Sequence, residues 1–145
     1  MKFPAIVFAA FLAACAPLTS TPPAEAPAGT PAESAATSPV GGVHFAAERV
    51  SPEVIRLSLD NGASQSIGYN LCSSSLERRT GSTWSNVPTG EVCTMQQLTL
   101  NPGADATFQK DLPANLGAGE YRYVTSIESP IGTAPKRVAT APFSR

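Results

Sequence analysis

The stretch EVIRLSLD, residues 53–60, decides the fold class of this 145-residue chain. Ile55, Leu57 and Leu59 alternate with charged or polar residues, so every second side chain is apolar. An extended chain places successive side chains on opposite faces, and one face then packs on a core while the other meets solvent. The stretch therefore predicts a half-buried β-strand.

The same period of two recurs in VHFAAERV (43–50), EYRYVTSI (120–127) and GTAPKRVATAPFSR (132–145). The apolar residues expected to face a core in these stretches are Val43, Phe45, Ala47, Tyr121, Tyr123, Ile127, Val138 and Phe143. Turn signals rich in Gly, Asn and Pro separate the stretches at the spacing of a sandwich or barrel, and no stretch has a convincing helical period. We predict an all-β domain over residues 43–145, either a sandwich or a barrel.

The stretch VCTMQQLTL (92–100) contains two apolar sets that are out of phase with each other. Cys93 and Met95 form the first set, and Leu98 and Leu100 form the second. Either a β-bulge at the intervening glutamines returns both sets to one face, or the stretch contains two separate short strands. We expect Cys93 and Met95 to point inward.

Residues 1–14 predict a signal peptide. Lys2 supplies a positive charge, and the apolar run Phe3–Leu12 follows it. The run has about half of the roughly 20 residues that a membrane-spanning helix needs, whereas its length is typical of a signal peptide.

The apolar run ends in LAAC, residues 12–15, which resembles the lipobox of bacterial lipoproteins. The resemblance implies cleavage before Cys15, a diacylglyceryl group on its thiol and acylation of its new amino terminus. We expect a lipid-anchored protein of the bacterial cell envelope. Because Ala16 and not aspartate follows the cysteine, the outer membrane is the expected site in a Gram-negative cell. The alternative is ordinary signal cleavage near the alanines, without lipid.

Residues 15–42 predict a linker between the lipidated cysteine and the domain. They are rich in Pro, Ala, Ser and Thr and contain only two charged residues, Glu25 and Glu33. Such a composition buries too little apolar surface to offset the entropy of ordering. We expect a disordered tether, which in polyproline form would reach on the order of 80 Å.

The cysteine count favours one disulfide. If Cys15 carries lipid, Cys72 and Cys93 remain as a pair in an oxidising compartment. The hairpin predicted over SLERRTGSTWSNV (75–87) lies between them, so the two cysteines can meet at its base. A redox dithiol is the alternative, but the pair lacks the CxxC spacing.

Five segments, in this order, resemble bacterial immunoglobulin-like domains: SLDNGASQSIGYNLC (58–72), SSLERRTGSTWSNVP (74–88), LTLNPGADATF (98–108), LPANLGAGEYRYVTSI (112–127) and APFSR (141–145). The resemblance covers about 53–144, and its most specific points are Trp84, Gly119, Tyr121 and Arg122. It implies that the all-β domain is an immunoglobulin-like β-sandwich of about seven strands, and it implies no particular ligand. We expect Trp84 to cap the core beside the hairpin; the alternative is an exposed recognition anchor.

Composition and motifs argue against several classes of function. The net charge of −1 provides no field that would gather nucleic acid. His44 is the only histidine and lies at the expected first strand, so we expect a surface residue and no catalytic triad. One histidine and two paired cysteines do not make a usual zinc site. We expect no enzyme activity, catalytic residue, metal or other cofactor.

The remaining interpretation is a non-enzymatic envelope lipoprotein that presents one immunoglobulin-like module to an unidentified envelope protein, or that has an accessory structural role. A first alternative is a peptidase inhibitor that acts through loops 101–105 (NPGAD) and 113–120 (PANLGAGE). A second is a module that binds the cell wall or a carbohydrate.

Overall fold

The computed structural model describes residues 41–145. Cys15, the predicted signal peptide and nearly all of the predicted linker lie outside the described residues. Residues 41–145 form ten β-strand segments and no helix. The segments are β1 (Val43–Ser51), β2 (Val54–Asn61), β3 (Ile67–Tyr69), β4 (Ser75–Thr80), β5 (Thr83–Val87), β6 (Leu98–Leu100), β7 (Asp105–Asp111), β8 (Glu120–Glu128), β9 (Lys136–Ala139) and β10 (Phe143–Ser144).

The segments belong to two antiparallel sheets. One sheet has the order β1-β2-β7. In the other sheet, β3 and β4 follow each other along one edge of β8, and β9 and β10 follow each other along its opposite edge. β6 and β5 pair in turn with the far edges of β3 and β4. Joined in this way, the ten segments form seven strands, three in one sheet and four in the other.

The core lies between the two sheets and follows the predicted alternation. β1 and β2 contribute Val43, Phe45, Ala47, Ile55, Leu57 and Leu59, and the opposing sheet contributes Ile67, Leu76, Leu100, Tyr121, Tyr123, Ile127 and Val138. Both tyrosines predicted to lie in the core are fully buried. The prediction of an all-β sandwich of about seven strands is confirmed.

Two details of the strand prediction are wrong. The last predicted strand is divided into β9 and β10, because Thr140 bonds to β8 through its side chain and backbone between them. More importantly, residues 88–97 form no strand, and Met95 is 98% exposed where an inward position was predicted. Of the second apolar set, Leu100 is buried but Leu98 is exposed.

Residues 41–145 contain no helix that is long and apolar enough to cross a lipid bilayer.

Candidate functional site

Two neighbouring strands of the larger sheet are interrupted at the same level. Tyr69 pairs with Ile127 of β8 and Ser75 pairs with Val124, so residues 70–74 stand opposite only two residues of β8. On the adjoining strand, residues 88–97 separate β5 from β6. We call residues 70–74 and 88–97 the disulfide-linked loops.

The predicted disulfide joins these loops. Cys72 and Cys93 are bonded, with their Cα atoms 5.7 Å apart. Neither cysteine lies in a strand, because Cys72 falls between the end of β3 at Tyr69 and the start of β4 at Ser75, and Cys93 falls between the end of β5 at Val87 and the start of β6 at Leu98. The disulfide therefore replaces backbone pairing at the interruption.

Lys110 of β7 crosses the core and ends beneath the disulfide-linked loops. Its side chain is 3% exposed, and its ammonium group forms an ion pair with Glu91. The same Nζ donates hydrogen bonds to the carbonyl oxygens of Cys72 and Ser74, the latter at 3.1 Å. A buried charge is costly unless it is paired and hydrogen-bonded, and here the loops supply both kinds of partner.

The sequence analysis missed Lys110, although a signal was present. Ala106, Phe108 and Leu112 follow the same alternating phase, which places Lys110 on the inward face of β7. A lysine in that phase needs a counter-charge or hydrogen-bond acceptors at the same level of the opposite sheet. The interruption of the larger sheet provides them.

Tyr123 adds no negative charge beneath the loops. Burial raises the pKa of its hydroxyl well above the ordinary value, and the charges of Glu91 and Asp111 raise it further. The hydroxyl therefore stays protonated at physiological pH.

The side-chain amide of Asn70 fixes the central part of the second loop. Its Nδ2 donates to the carbonyl oxygen of Thr94 at 2.8 Å and to that of Gln96 at 2.9 Å. Its Oδ1 accepts a hydrogen bond from the backbone N–H of Ser73. Residues 91–97 contain no helix, turn or bend, and in an extended chain carbonyls two residues apart point to the same side, as those of Thr94 and Gln96 do here. The backbone around Met95 is therefore extended.

Gln97 provides the next attachment of this loop. Its side chain lies directly on Gly68 of β3, where a Cβ would be 2.5 Å from Nε2 of Gln97. Any side chain at residue 68 would displace it. β6 then begins at Leu98, which pairs with Tyr69.

The loop held in this way displays two large apolar side chains. Val92 is 94% exposed and Met95 is 98% exposed, and they flank the disulfide at Cys93. Single exposed apolar residues are common on proteins. Here two apolar side chains within four residues are almost completely exposed, and a disulfide and a side-chain amide fix their backbone. Packing within the domain does not explain this exposure.

The two loops predicted for peptidase inhibition have a different character. Residues 101–105 turn around Asn61, whose carbonyl accepts a hydrogen bond from Gly103 and whose Nδ2 donates to Leu100. In residues 113–120, the carbonyl oxygen of Gly117 accepts a hydrogen bond from the hydroxyl of the core residue Tyr121. Neither loop contains a large apolar side chain that is exposed. The contacts of both loops stabilise the domain.

His44, which we expected at the surface, is exposed on β1, where it pairs with Asp60 of β2. Cys72, Glu91 and Cys93 place donor atoms within 4.8 Å of one another. Both sulfur atoms are joined in the disulfide, so neither is a thiolate ligand.

Trp84 does not cap the core, contrary to our expectation. It lies half-buried on the outer face of the larger sheet, opposite Arg79 of β4, with the Arg122 guanidinium 4.2 Å from its ring centroid. Arg122 and Arg137 both bond Glu77, at 2.7 and 2.6 Å. This row of Trp84, Arg122, Glu77 and Arg137 ties β5, β8, β4 and β9 together across the outer face.

The carboxyl group of Glu77, at the centre of this row, has a shifted pKa. Burial disfavours the charged form of Glu77, but hydrogen bonds from Arg122 and Arg137 outweigh it and lower the pKa below the ordinary value of 4.5. The charged form therefore stabilises the fold above that pH.

The chain matches no protein-family model and no curated protein at a significant level. The function is therefore inferred from the geometry of the site.

We expect Glu77→Gln to lower the free energy of unfolding at pH 7 by about 2 kcal/mol, because two charge-assisted hydrogen bonds of a group that is 9% exposed are weakened. The difference from the unaltered protein should shrink as the pH falls through the lowered pKa, where wild-type Glu77 becomes protonated too. Urea unfolding at pH 7 and at pH 3 measures both effects. Glu48→Gln is the control, because its ion pair with Arg56 is exposed and should contribute under about 1 kcal/mol. Equal losses in the two variants would contradict this account.

Proposed function

We propose that this chain is a non-enzymatic lipoprotein of the bacterial envelope whose immunoglobulin-like β-sandwich recognises a protein partner through the second disulfide-linked loop, residues 88–97. One observation carries the proposal: Val92 and Met95 are almost completely exposed on a backbone that is fixed on both sides. The partner is a protein whose surface has an apolar pocket.

Fixing the loop before binding favours tight association. A flexible loop loses conformational freedom when it binds, whereas a loop already held in its bound shape does not. Apolar side chains that enter a pocket of the partner and leave water supply most of the binding energy in such interfaces. Val92 and Met95 are the residues of this loop suited to that role.

The lipid anchor and the linker complete the proposal. The LAAC sequence ending at Cys15 supports attachment to the membrane, and the Pro-rich residues that follow support a tether that gives the domain reach. Held in this way, the loop would search a shell near the membrane, so even a modest affinity would be increased by the high local concentration of its partner.

A photo-crosslinking amino acid tests the recognition surface in the cells that produce the protein. We expect a crosslinked adduct of a single defined mass when the photoreactive residue replaces Met95, and none when it replaces Ile131, an exposed apolar residue outside the disulfide-linked loops. Adducts of equal yield at both positions, or no adduct at residue 95, would contradict recognition through this loop.

Radiolabelled palmitate tests the anchor. We expect label in the unaltered protein and none in Cys15→Ala, because acylation requires the thiol. Equal labelling of the two proteins would exclude lipidation at Cys15.

A further inference from the structure

We propose that the partner is a serine peptidase with an apolar specificity pocket, and that residues 93–97 occupy its cleft as a substrate would, with Met95 in the pocket. This inference rests on the proposed function and specifies its partner. The protein would then be an inhibitor, and the Met95–Gln96 peptide bond would lie at the catalytic serine.

The backbone geometry fits a peptidase cleft. Enzymes that bind peptides do so by pairing with an extended strand, and specificity comes from pockets for individual side chains. Residues 91–97 run without a turn or a bend. The carbonyls of Thr94 and Gln96 face Asn70, which leaves the opposite edge of this segment towards solvent. An incoming enzyme therefore meets an extended strand that is already formed.

The side chain at the centre sets the kind of specificity pocket that the enzyme needs. In serine peptidases of the chymotrypsin type, the pocket that sets specificity accepts the side chain immediately before the bond that is cut. Met95 is long, unbranched and 98% exposed, and both of its neighbours are exposed too. A large apolar slot suits this side chain, whereas a pocket containing an aspartate does not.

The attachments on both sides of Met95 explain why such binding would inhibit. In the forward reaction the serine Oγ attacks the Met95 carbonyl carbon, the Met95–Gln96 C–N bond breaks, and the serine proton passes through the histidine to the new amine of Gln96. The Met95 side stays attached through the disulfide at Cys93, and the Gln96 side stays attached through Asn70 and Gln97 on Gly68.

Held ends favour the reverse step. The Gln96 amine remains next to the acyl ester, loses its proton to the histidine, attacks the ester carbon and regenerates the peptide bond and the free serine hydroxyl. A neighbouring nucleophile of this kind has an effective concentration of many molar. It also occupies the place where water would attack to give a carboxylate, so the complex turns over slowly.

This placement differs from the loops that the sequence suggested for inhibition. Residues 101–105 and 113–120 are secured turns, but neither loop has an exposed large apolar side chain. Of these three loops, the second disulfide-linked loop is the one in which an exposed apolar side chain and the attachments coincide.

Titration of purified chymotrypsin, subtilisin and trypsin with the full-length protein tests the inference. We expect near-stoichiometric inhibition of chymotrypsin or subtilisin and weak inhibition of trypsin. Met95→Asp should weaken inhibition by about 100-fold or more, because a charge enters an apolar pocket. Met95→Lys should transfer inhibition to trypsin. Ile131→Asp is the matched control and should inhibit as the unaltered protein does. Circular dichroism verifies that each variant is folded.

Asn70→Ala tests the attachment. In this variant we expect the Met95–Gln96 bond to be cut about tenfold faster or more, which converts an inhibitor into a substrate, and mass spectrometry of the fragments identifies the bond.

Absence of inhibition by the folded, unaltered protein would overturn the inference, and so would inhibition that Met95→Asp leaves unchanged or cleavage confined to other bonds. If crosslinks still form at residue 95 in cells while no peptidase is inhibited, recognition through the loop stands and the peptidase inference fails. If no crosslink forms there, recognition through the loop fails as well.

Discussion

The disulfide between Cys72 and Cys93 crosses a level at which the larger sheet has lost its backbone pairing. Residues 70–74 and 88–97 leave neighbouring strands at that level, and without the disulfide only side-chain contacts would hold them at the gap in the sheet. Closing about 20 residues of chain removes conformational freedom from the unfolded state, which stabilises the fold by roughly 3 kcal/mol. The same bond holds the apolar side chains of the second loop away from the core.

The buried ammonium group of Lys110 contacts the interruption of the larger sheet from the core side. Lys110 spans the core from the smaller sheet and satisfies carbonyls that the interrupted strand leaves unpaired, while Glu91 compensates its charge. The ammonium group and the carbonyls would be costly in the interior without these partners. Together they link the loops to the opposite sheet, so the position of the loops depends on the packing of the whole sandwich.

Much of the fold could be predicted because alternation and turn chemistry are local. The phase of Ile55, Leu57 and Leu59, and that of Tyr121 and Tyr123, indicated the buried faces, and the cysteine count indicated the disulfide. The candidate site could not be predicted in the same way.

The site depends on contacts between residues distant in the sequence. The alternation of Cys93 and Met95 is equally compatible with a strand and with an extended loop beside a disulfide. Only the hydrogen bonds from Asn70, more than 20 residues away, distinguish the two. Trp84 was misplaced for a related reason, since its environment is formed by Arg122 of another strand. Sequence patterns report burial well, whereas pairings across the sheet require the structure.

The central claim is that the segment around Met95 is rigid before any partner arrives. Backbone ¹⁵N relaxation of the labelled protein tests it most directly, by comparing Thr94, Met95 and Gln96 with the strands of the sandwich. The account predicts order parameters of about 0.85, as in the strands, and values below about 0.6 when Asn70→Ala removes the two hydrogen bonds. Values below about 0.6 in the unaltered protein would contradict a loop formed in advance.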